Sequence, residues 1–192
     1  MIWNKKFVYP TSTRALINGK RHYDVGVHEK LPSVTTILQA TQSEEKKQKL
    51  EEWKKRMGEQ RADRIRDISA MRGTSMHTYL EGYIKDERHL DLTALGQEAG
   101  RMADVVIRSG LGDLEEVWGT EVTLYYPGLY AGATDVVGIY NGRESIIDFK
   151  QTNKPKQREW IDDYFTQLAA YAMAHNYVYN TQIQSGIILM CS

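Results

Sequence analysis

Two aspartates and a lysine on neighbouring predicted strands are the residues best suited to chemistry. The pair Asn141-Gly142 predicts a two-residue type I′ hairpin loop, because both loop positions need positive φ and Asn-Gly accepts it. Counting back from that turn places Asp135 directly opposite Asp148, and the alternation of side chains places Lys150 on the same face as Asp148. Two like charges that face each other destabilise a sheet. Either one carboxylate holds a proton or a divalent cation bridges them.

Lys150 favours the second of these alternatives, a divalent cation that bridges the two aspartates. A metal ion polarises a phosphate group and lowers the pKa of a bound water, while an ammonium orients that water or neutralises developing charge. The set therefore predicts hydrolysis of a phosphodiester. The alternative for the same residues is an ordinary hairpin that carries a surface salt bridge, since short motifs also occur by chance.

Three strands carry these residues. Apolar runs and turn signals predict strands at Val117 to Tyr126, Tyr130 to Tyr140 and Glu144 to Lys150, with the first turn at Pro127-Gly128. Both faces of the last two strands are apolar, so we expect helices to cover both sides of the sheet.

Glu121, on the first strand, is a third candidate acid and metal ligand. A two-residue loop at Pro127-Gly128 would place it opposite Thr134 and turn it away from Asp135. A three-residue loop or a bulge would bring it into the site. An acid at a sheet edge is the alternative interpretation, and the two stand equal at this point.

Capping residues and periodic apolar positions predict five helices. They are a short helix after Ser33, a long charged helix after Ser43, a helix from about Gln60 into the high eighties that is interrupted or kinked near Gly73, a helix from Leu92 to Ser109, and a helix from Lys156 to about His175 that crosses to a strand at Ile183–Met190.

Several other residues have two interpretations each. His77 lies beside an apolar stripe with Glu81 one turn further on, and a lone histidine there is more often a satisfied core residue than a ligand. The run Lys54-Lys55-Arg56 could contact phosphate, but a solvated helix face is favoured. His22 and His28 are expected to be surface histidines.

Composition bounds the class of protein. A chain of 192 residues suits one domain, and its formal net charge of +0 confines any electrostatic footprint for nucleic acid to a local surface. The single cysteine, Cys191, excludes an internal disulfide and a four-cysteine iron–sulfur or zinc site within one chain. Because the N-terminus lacks an apolar signal region and no stretch matches a membrane span, we expect a soluble cytoplasmic protein.

Four blocks in order resemble the RecB-like branch of the PD-(D/E)xK nuclease superfamily. They are Gly73-Thr74-Ser75-Met76-His77 with Glu81, Gly132-Ala133-Thr134-Asp135, Asp148-Phe149-Lys150, and Gln167-Leu168-Ala169-Ala170-Tyr171. Within that branch, Leu31-Pro32-Ser33-Val34-Thr35 and Trp53-Lys54-Lys55-Arg56-Met57 resemble a group of mitochondrial and phage exonucleases. The similarity runs from about Leu31 to Met190.

The resemblance implies roles for individual residues. Asp135 and Asp148 would be metal ligands, with the Phe149 carbonyl completing the site, and Lys150 would be the catalytic lysine. His77 would line the site as a metal ligand or a substrate contact.

Further residues would support catalysis or bind DNA. Glu81 would support His77, and Gln167 and Tyr171, which alone would be core-boundary residues, would orient the lysine or contact DNA. The remaining candidates for DNA contacts are Ser75, Thr152, Lys154, Lys156 and Arg158, of which the last four lie in the polar loop after Lys150.

We therefore predict an α/β protein with a PD-(D/E)xK restriction-endonuclease-like core, a mixed central sheet flanked by helices, and an N-terminal helical extension. The expectation is a single nuclease domain, residues 1–192, with a mainly helical portion at 1–112 and a sheet-and-helix catalytic core at 113–192. Its expected activity is hydrolysis of DNA from single-stranded ends with Mg²⁺ or Mn²⁺, in DNA replication, recombination or repair. The alternatives are a non-catalytic DNA-end-binding protein and a structure-specific endonuclease.

The partners and setting follow the same resemblance. We expect a monomer that binds DNA, most readily single strands with free ends, without a membrane or an iron–sulfur cluster. The absence of an Arg- and Ser-rich transit peptide predicts a bacterial or phage-infected cell. Because Ser192 directly follows a predicted strand where relatives continue, a truncated or minimal version of the domain is expected.

Overall fold

The computed structural model of the chain describes residues 1–26 and 29–192. In chain order its elements are β1 (Ile2–Trp3), β2 (Thr13–Ile17), β3 (Lys20–Asp24), β4 (Leu31–Pro32), α1 (Val34–Ala40), α2 (Glu44–Met57), α3 (Glu59–Lys85), α4 (Ala94–Ser109), β5 (Leu114–Tyr126), β6 (Tyr130–Tyr140), β7 (Arg143–Gln151), α5 (Asp162–Tyr179) and β8 (Ser185–Cys191). The prediction for His28 lies outside the described residues. None of the helices in the described part of the chain has the length and apolar character that a bilayer crossing requires.

A five-stranded mixed sheet forms the centre of the molecule, in the order β1-β5-β6-β7-β8. The three middle strands pair antiparallel, and the two outer strands, β1 and β8, pair parallel to their neighbours. A separate three-stranded sheet, β2-β3-β4, is built from the N-terminal residues. The predicted mixed α/β sheet is confirmed.

Helices cover both faces of the central sheet, as the apolar strands predicted. On one face, α3 and α4 bury residues such as Met76 and Leu80 against Val136 and Ile147. On the other face, α1 and α5 form a second cluster with the opposite side chains of the same strands. Since each strand alternates between the two clusters, the direction of every β6 and β7 side chain is determined.

The Asn141-Gly142 turn sets the register of the β6–β7 hairpin. Both residues have positive φ, 47° and 71°, and the paired residues run from Tyr140 with Arg143 to Val136 with Ile147. Continuing that register by one step places Asp135 opposite Asp148. The predicted register is confirmed.

The β5–β6 connection resolves the question of Glu121. Tyr126 pairs with Tyr130, so the loop has three residues, Pro127–Leu129. Glu121 lies between the pair Thr120 and Val136 and the pair Val122 and Thr134. It is therefore opposite Asp135 and belongs to the neighbourhood of the site.

The predicted caps of α1 and α2 are confirmed, because the Ser33 and Ser43 side chains accept hydrogen bonds from backbone amides in the first turn. The predicted interruption near Gly73 is wrong: α3 is continuous from Glu59 to Lys85. A glycine inside a helix costs only about 1 kcal/mol, and the buried apolar face of α3 offsets that cost.

The predicted start of the crossover helix at Lys156 is also wrong. A short 3₁₀ turn at Arg158–Trp160 intervenes, and α5 begins at Asp162. The acids Asp162 and Asp163 occupy the first turn, where a carboxylate is favourable beside the positive end of the helix dipole. As a result, Trp160 lies outside the helix and is 57% exposed.

A fully buried histidine, His175, anchors α5 to the N-terminal segment. Its Nε2 atom lies 3.1 Å from the Tyr9 hydroxyl and its Nδ1 atom 2.8 Å from the Thr181 hydroxyl. Hydroxyls donate or accept, so both nitrogens of the neutral ring are satisfied. Burial, with a smaller contribution from the Lys6 charge, lowers the pKa of His175 to about 4.

We expect His175 to make the protein less stable in mild acid. Its pKa is about 4 when folded against 6.5 normally, so the stability it contributes is complete above pH 6.5 and is lost as pH falls toward 4. Relative to His175→Gln, the free energy of unfolding of the wild type should drop by about 2 kcal/mol between pH 7 and pH 5. Urea denaturation of both proteins across this range measures the difference. A pH-independent difference would contradict a buried neutral ring.

Candidate active site

Two buried carboxylates form the centre of the candidate site. Asp135 on β6 is 9% exposed and Asp148 on β7 is 4% exposed. They lie one step beyond the last backbone pair of the hairpin, Val136 with Ile147. Buried charges of the same sign require nearby donors or cations, and the surrounding elements supply them.

His77, from α3, links the two strands. Its Nε2–H donates to the Phe149 carbonyl at 2.9 Å, and its Nδ1 lies 3.1 Å from the Asp135 carboxylate. Burial opposes the charged ring, but the hydrogen bond and charge of Asp135 raise the pKa of His77 above its usual value. The predicted neighbourhood of His77, Asp135 and the Phe149 carbonyl is present in the structure.

Asp135 is held ionised by two donors. The Phe149 backbone N–H donates to its Oδ2 atom at 2.5 Å, while His77 lies at Oδ1. Although burial opposes ionisation, the hydrogen bond and charge of His77 lower the pKa of Asp135. This carboxylate therefore keeps its charge.

The pKa of Asp148 is shifted in the opposite direction from that of Asp135. Burial and the nearby Asp135 charge raise the pKa of Asp148 to about 6, against the opposing effect of Lys150. Lys150 Nζ forms an ion pair with Asp148 and lies 5.3 Å from the centre of the Tyr164 ring. Asp148 and Lys150 thus share a face of β7, as alternation predicted.

Glu121 joins the site from β5. It has a left-handed backbone conformation, φ 49°, which is uncommon for glutamate inside a strand. Partial burial of its carboxylate and the Asp135 charge raise the pKa of Glu121 to about 7.

The three residues His77, Glu121 and Asp135 are spaced to hold a metal ion. Each offers one ligand atom, and these atoms lie within 4.8 Å of one another. Carboxylate oxygens suit Mg²⁺ and Mn²⁺, and imidazole suits transition metals. The donor set therefore fits a divalent cation.

Gln167 and Tyr171, on α5, lie behind this centre. The Gln167 amide donates to the Tyr171 hydroxyl at 2.9 Å, and both side chains are buried. A Cβ at Gly132 would lie 2.6 Å from the Tyr171 ring, so glycine at this point of β6 is what lets the ring approach. The Tyr171 ring therefore packs closely against the strand that carries Asp135.

A cleft opens on the Lys150 side of the site. It has a volume of about 810 Å³ and separates the α2–α3 pair from the segment after β7. Its lining combines aromatic and basic side chains, among them Trp53, Arg56, Arg72, Lys154, Lys156, Trp160 and Tyr164. Aromatic rings beside cations form the usual surface for single-stranded nucleic acid.

The other predicted contacts divide into two groups. Lys154 and Lys156 line the cleft, with Thr152, whose hydroxyl donates to the Lys154 carbonyl. Arg158 does not line it, because it pairs with Asp162 and stacks on Phe165.

Two further candidate residues, Ser75 and Glu81, lie on α3. Among the described residues the buried Ser75 hydroxyl has no hydrogen-bond partner. Glu81 lines the same small cavity as His77, but its carboxylate accepts from Lys85 at 2.5 Å and makes no hydrogen bond to the histidine within the described parts of the chain.

Two arginines near the site were missed by the sequence analysis. Arg72 lines the cleft and pairs with Glu98 at 2.6 Å. Arg14, on β2, lines a cavity that also contains His77 and Glu121. The pair Asn18-Gly19, with φ values of 51° and 72°, is a sequence signal for the hairpin that carries Arg14 but not for the place where that hairpin docks.

No protein-family model matches the chain. The chain does resemble a family of exonucleases. The relatives are named Mitochondrial genome maintenance exonuclease 1: the Mus musculus protein is 31% identical over 169 residues, and the Xenopus tropicalis protein is 32% identical over 170. Each match covers 83% of this chain but only 49% and 48% of the two relatives. The chain thus spans about half the length of the curated relatives it matches.

Removing one charge of the carboxylate pair should stabilise the metal-free protein. In Asp148→Asn the repulsion with Asp135 disappears, while the amide keeps the shape of the side chain. We expect the free energy of unfolding in EDTA at pH 8 to rise by about 1 kcal/mol, measured by urea denaturation. Val136→Asn is a destabilising control at the adjoining core position. A loss of stability in Asp148→Asn would show that the Lys150 ion pair outweighs the repulsion.

Proposed function

We propose that this chain is a metal-dependent deoxyribonuclease of the PD-(D/E)xK type that hydrolyses single-stranded DNA from its ends. The observation that carries the proposal is the convergence of Asp135, Asp148 and Lys150 with His77 and Glu121 at one point of the sheet. The names of the similar exonucleases point in the same direction.

The cation would be Mg²⁺ or Mn²⁺, held by Asp135 with His77, Glu121, Asp148 and the Phe149 carbonyl as further candidate ligands. A bound divalent ion polarises the phosphate and lowers the pKa of the attacking water. The spacing of the ligand atoms of His77, Glu121 and Asp135 supports this assignment. Because Asp135 remains ionised, it is the ligand available at any pH near neutrality.

Lys150 supplies the ammonium for the reaction. The Asp148 carboxylate and the Tyr164 ring position its Nζ atom. In hydrolysis it orients the attacking water or neutralises the charge that develops on the phosphate. Gln167 and Tyr171 hold the strands from behind, so their effect on the reaction is through positioning.

The cleft beside Lys150 is the proposed path of the DNA strand. Its basic residues, including Lys154 and Lys156, would contact phosphates, and its aromatic residues, including Trp53 and Trp160, would stack on bases. Stacking requires bases that are unpaired. The cleft therefore favours single strands over duplex.

The nuclease assay tests the proposal directly. We expect end-labelled linear single-stranded DNA to be degraded with Mg²⁺ or Mn²⁺, and circular single strands and duplex to resist. Lys150→Ala and Asp148→Asn should lose at least about 100-fold in kcat/KM. Lys150→Ala removes the ammonium at the reacting phosphate, and Asp148→Asn removes a candidate metal ligand that also positions Lys150.

Lys20→Ala is the matched control for lysine loss, because Lys20 is exposed on β3. Cleavage of circular strands would instead indicate an endonuclease. Binding of DNA ends without cleavage would indicate an end-binding protein, and wild-type turnover by Asp148→Asn would refute the assigned site.

Metal binding should also appear as stabilisation. We expect Mn²⁺ at about 100 times its dissociation constant to add about 2.7 kcal/mol to the free energy of unfolding, seen as a rise in Tm by calorimetry. Asp135→Asn should abolish the rise, because it removes the central carboxylate. Asp104→Asn, on the exposed side of α4, is the control that should keep it. An equal shift in all three proteins would mean that the ion binds elsewhere.

A further inference from the structure

The small N-terminal sheet contributes a cation to the candidate active site. Arg14 lines a cavity of about 370 Å³ together with Gly73, His77, Glu81 and Glu121. This cavity is separate from the cleft, since the two share no lining residues. The cavity is therefore a second opening beside the candidate site, next to His77 and Glu121.

The guanidinium of Arg14 is positioned by its own sheet. Arg14 and Tyr23 are cross-strand partners on β2 and β3, and the guanidinium lies 5.8 Å from the centre of the Tyr23 ring. Tyr23 is 4% exposed, so the ring is a fixed platform. Stacking on it restricts the arginine while leaving its N–H groups free to donate.

The sheet that carries Arg14 is docked on the strand that carries Asp135. Tyr23 and Leu31 pack in one buried cluster with Ala131 of β6, and a backbone bridge joins Ser33 to Ala131. Only four positions separate Ala131 from Asp135 on the same strand. Packing of the two sheets therefore sets the backbone position of Arg14, while its side chain is exposed.

Arg14 faces acids without pairing with them. Glu81 and Glu121 line the same cavity, yet Glu81 pairs with Lys85, and among the described residues no carboxylate lies within 4.0 Å of Arg14. A guanidinium that faces a metal-binding set and keeps its donors free is suited to an anion that both can bind. A phosphate group is such an anion, and arginine binds it in a bidentate manner.

We propose that Arg14 binds a phosphate group of the nucleic-acid substrate in this cavity, beside His77 and Glu121 of the proposed metal site. The inference rests on the proposed nuclease function and extends it to a substrate-binding residue outside the sheet-and-helix core. The phosphate is either the scissile phosphodiester or the phosphate at the end of the strand. Both offer the same oxygen acceptors to the guanidinium.

Substitution of Arg14 tests the inference. In Arg14→Ala we expect kcat/KM on linear single-stranded DNA to fall about 10- to 100-fold, which corresponds to the loss of charge-assisted hydrogen bonds. Arg14→Lys should recover only part of the loss, because lysine lacks the planar pair of donors. Arg21→Ala removes an exposed arginine from β3 of the same sheet and should match the wild type.

Binding gives a readout that is independent of turnover. With the inactive Lys150→Ala background, Arg14→Ala should weaken single-stranded DNA binding and lower the slope of log K against log salt by about 0.7, the value for one phosphate contact on a single strand. The dissociation constant for Mn²⁺, measured by calorimetry, should stay the same or become smaller. A weaker Mn²⁺ affinity with unchanged DNA affinity would overturn the inference and make Arg14 a structural neighbour of the metal site.

Substrates with 5′- or 3′-phosphate and with hydroxyl ends separate the two sources of phosphate. A loss confined to phosphorylated ends assigns Arg14 to the terminal phosphate, and an equal loss on all ends assigns it to the scissile group. If Arg14→Ala has the same kcat/KM as an active wild type, or if Arg21→Ala loses as much activity as Arg14→Ala, the assignment of Arg14 is overturned. The proposed nuclease function then still stands. An inactive wild type that does not bind DNA overturns both proposals.

Discussion

The burial of Asp135 opposite Asp148 is the constraint on which the surrounding elements depend. Two carboxylates in an apolar sheet are unstable without compensation, and the structure supplies it from different directions. His77 comes from α3, the Phe149 amide comes from the backbone of β7, and Lys150 comes from the same strand one step further on. Each donor requires its element to lie where it does, so the packing of α3 on the sheet and the register of the hairpin are also electrostatic requirements.

A single helix forms a wall of both openings of the site. Arg72 of α3 lines the large cleft, while His77 and Glu81, further along the same helix, line the smaller cavity beside Arg14. An interruption at Gly73 would have let the two walls move independently. Because α3 is continuous there, the residues that face the cleft and those that face the carboxylates keep one relative position.

Local patterns in the sequence were sufficient to predict the register of the β6–β7 hairpin and the caps of α1 and α2. The other features of the fold depend on contacts between distant parts of the chain. The Asn141-Gly142 turn predicted the pairing of Asp135 with Asp148, because loop length and side-chain alternation leave one solution. The position of Glu121 depends on the length of the β5–β6 loop. The residues Pro127-Gly128 are compatible with a two-residue or a three-residue loop, so the sequence alone did not decide it. The start of α5 depended on competition between a 3₁₀ turn and the favourable acids at Asp162. The place of Arg14 needed the docking of one sheet on another, for which a single sequence has no local signal.

The two hairpin loops of the central sheet differ in how much variation in length they allow. Adding one residue at Asn141-Gly142 would shift β7 by one position against β6, and it would turn Asp148 and Lys150 to the face covered by the other helices. Adding one at Pro127–Leu129 would shift all of β5, including Glu121 and the buried Val122, against β6, but it would leave Asp135 opposite Asp148. The facing pair of aspartates therefore depends on the length of the first loop and is independent of the length of the second.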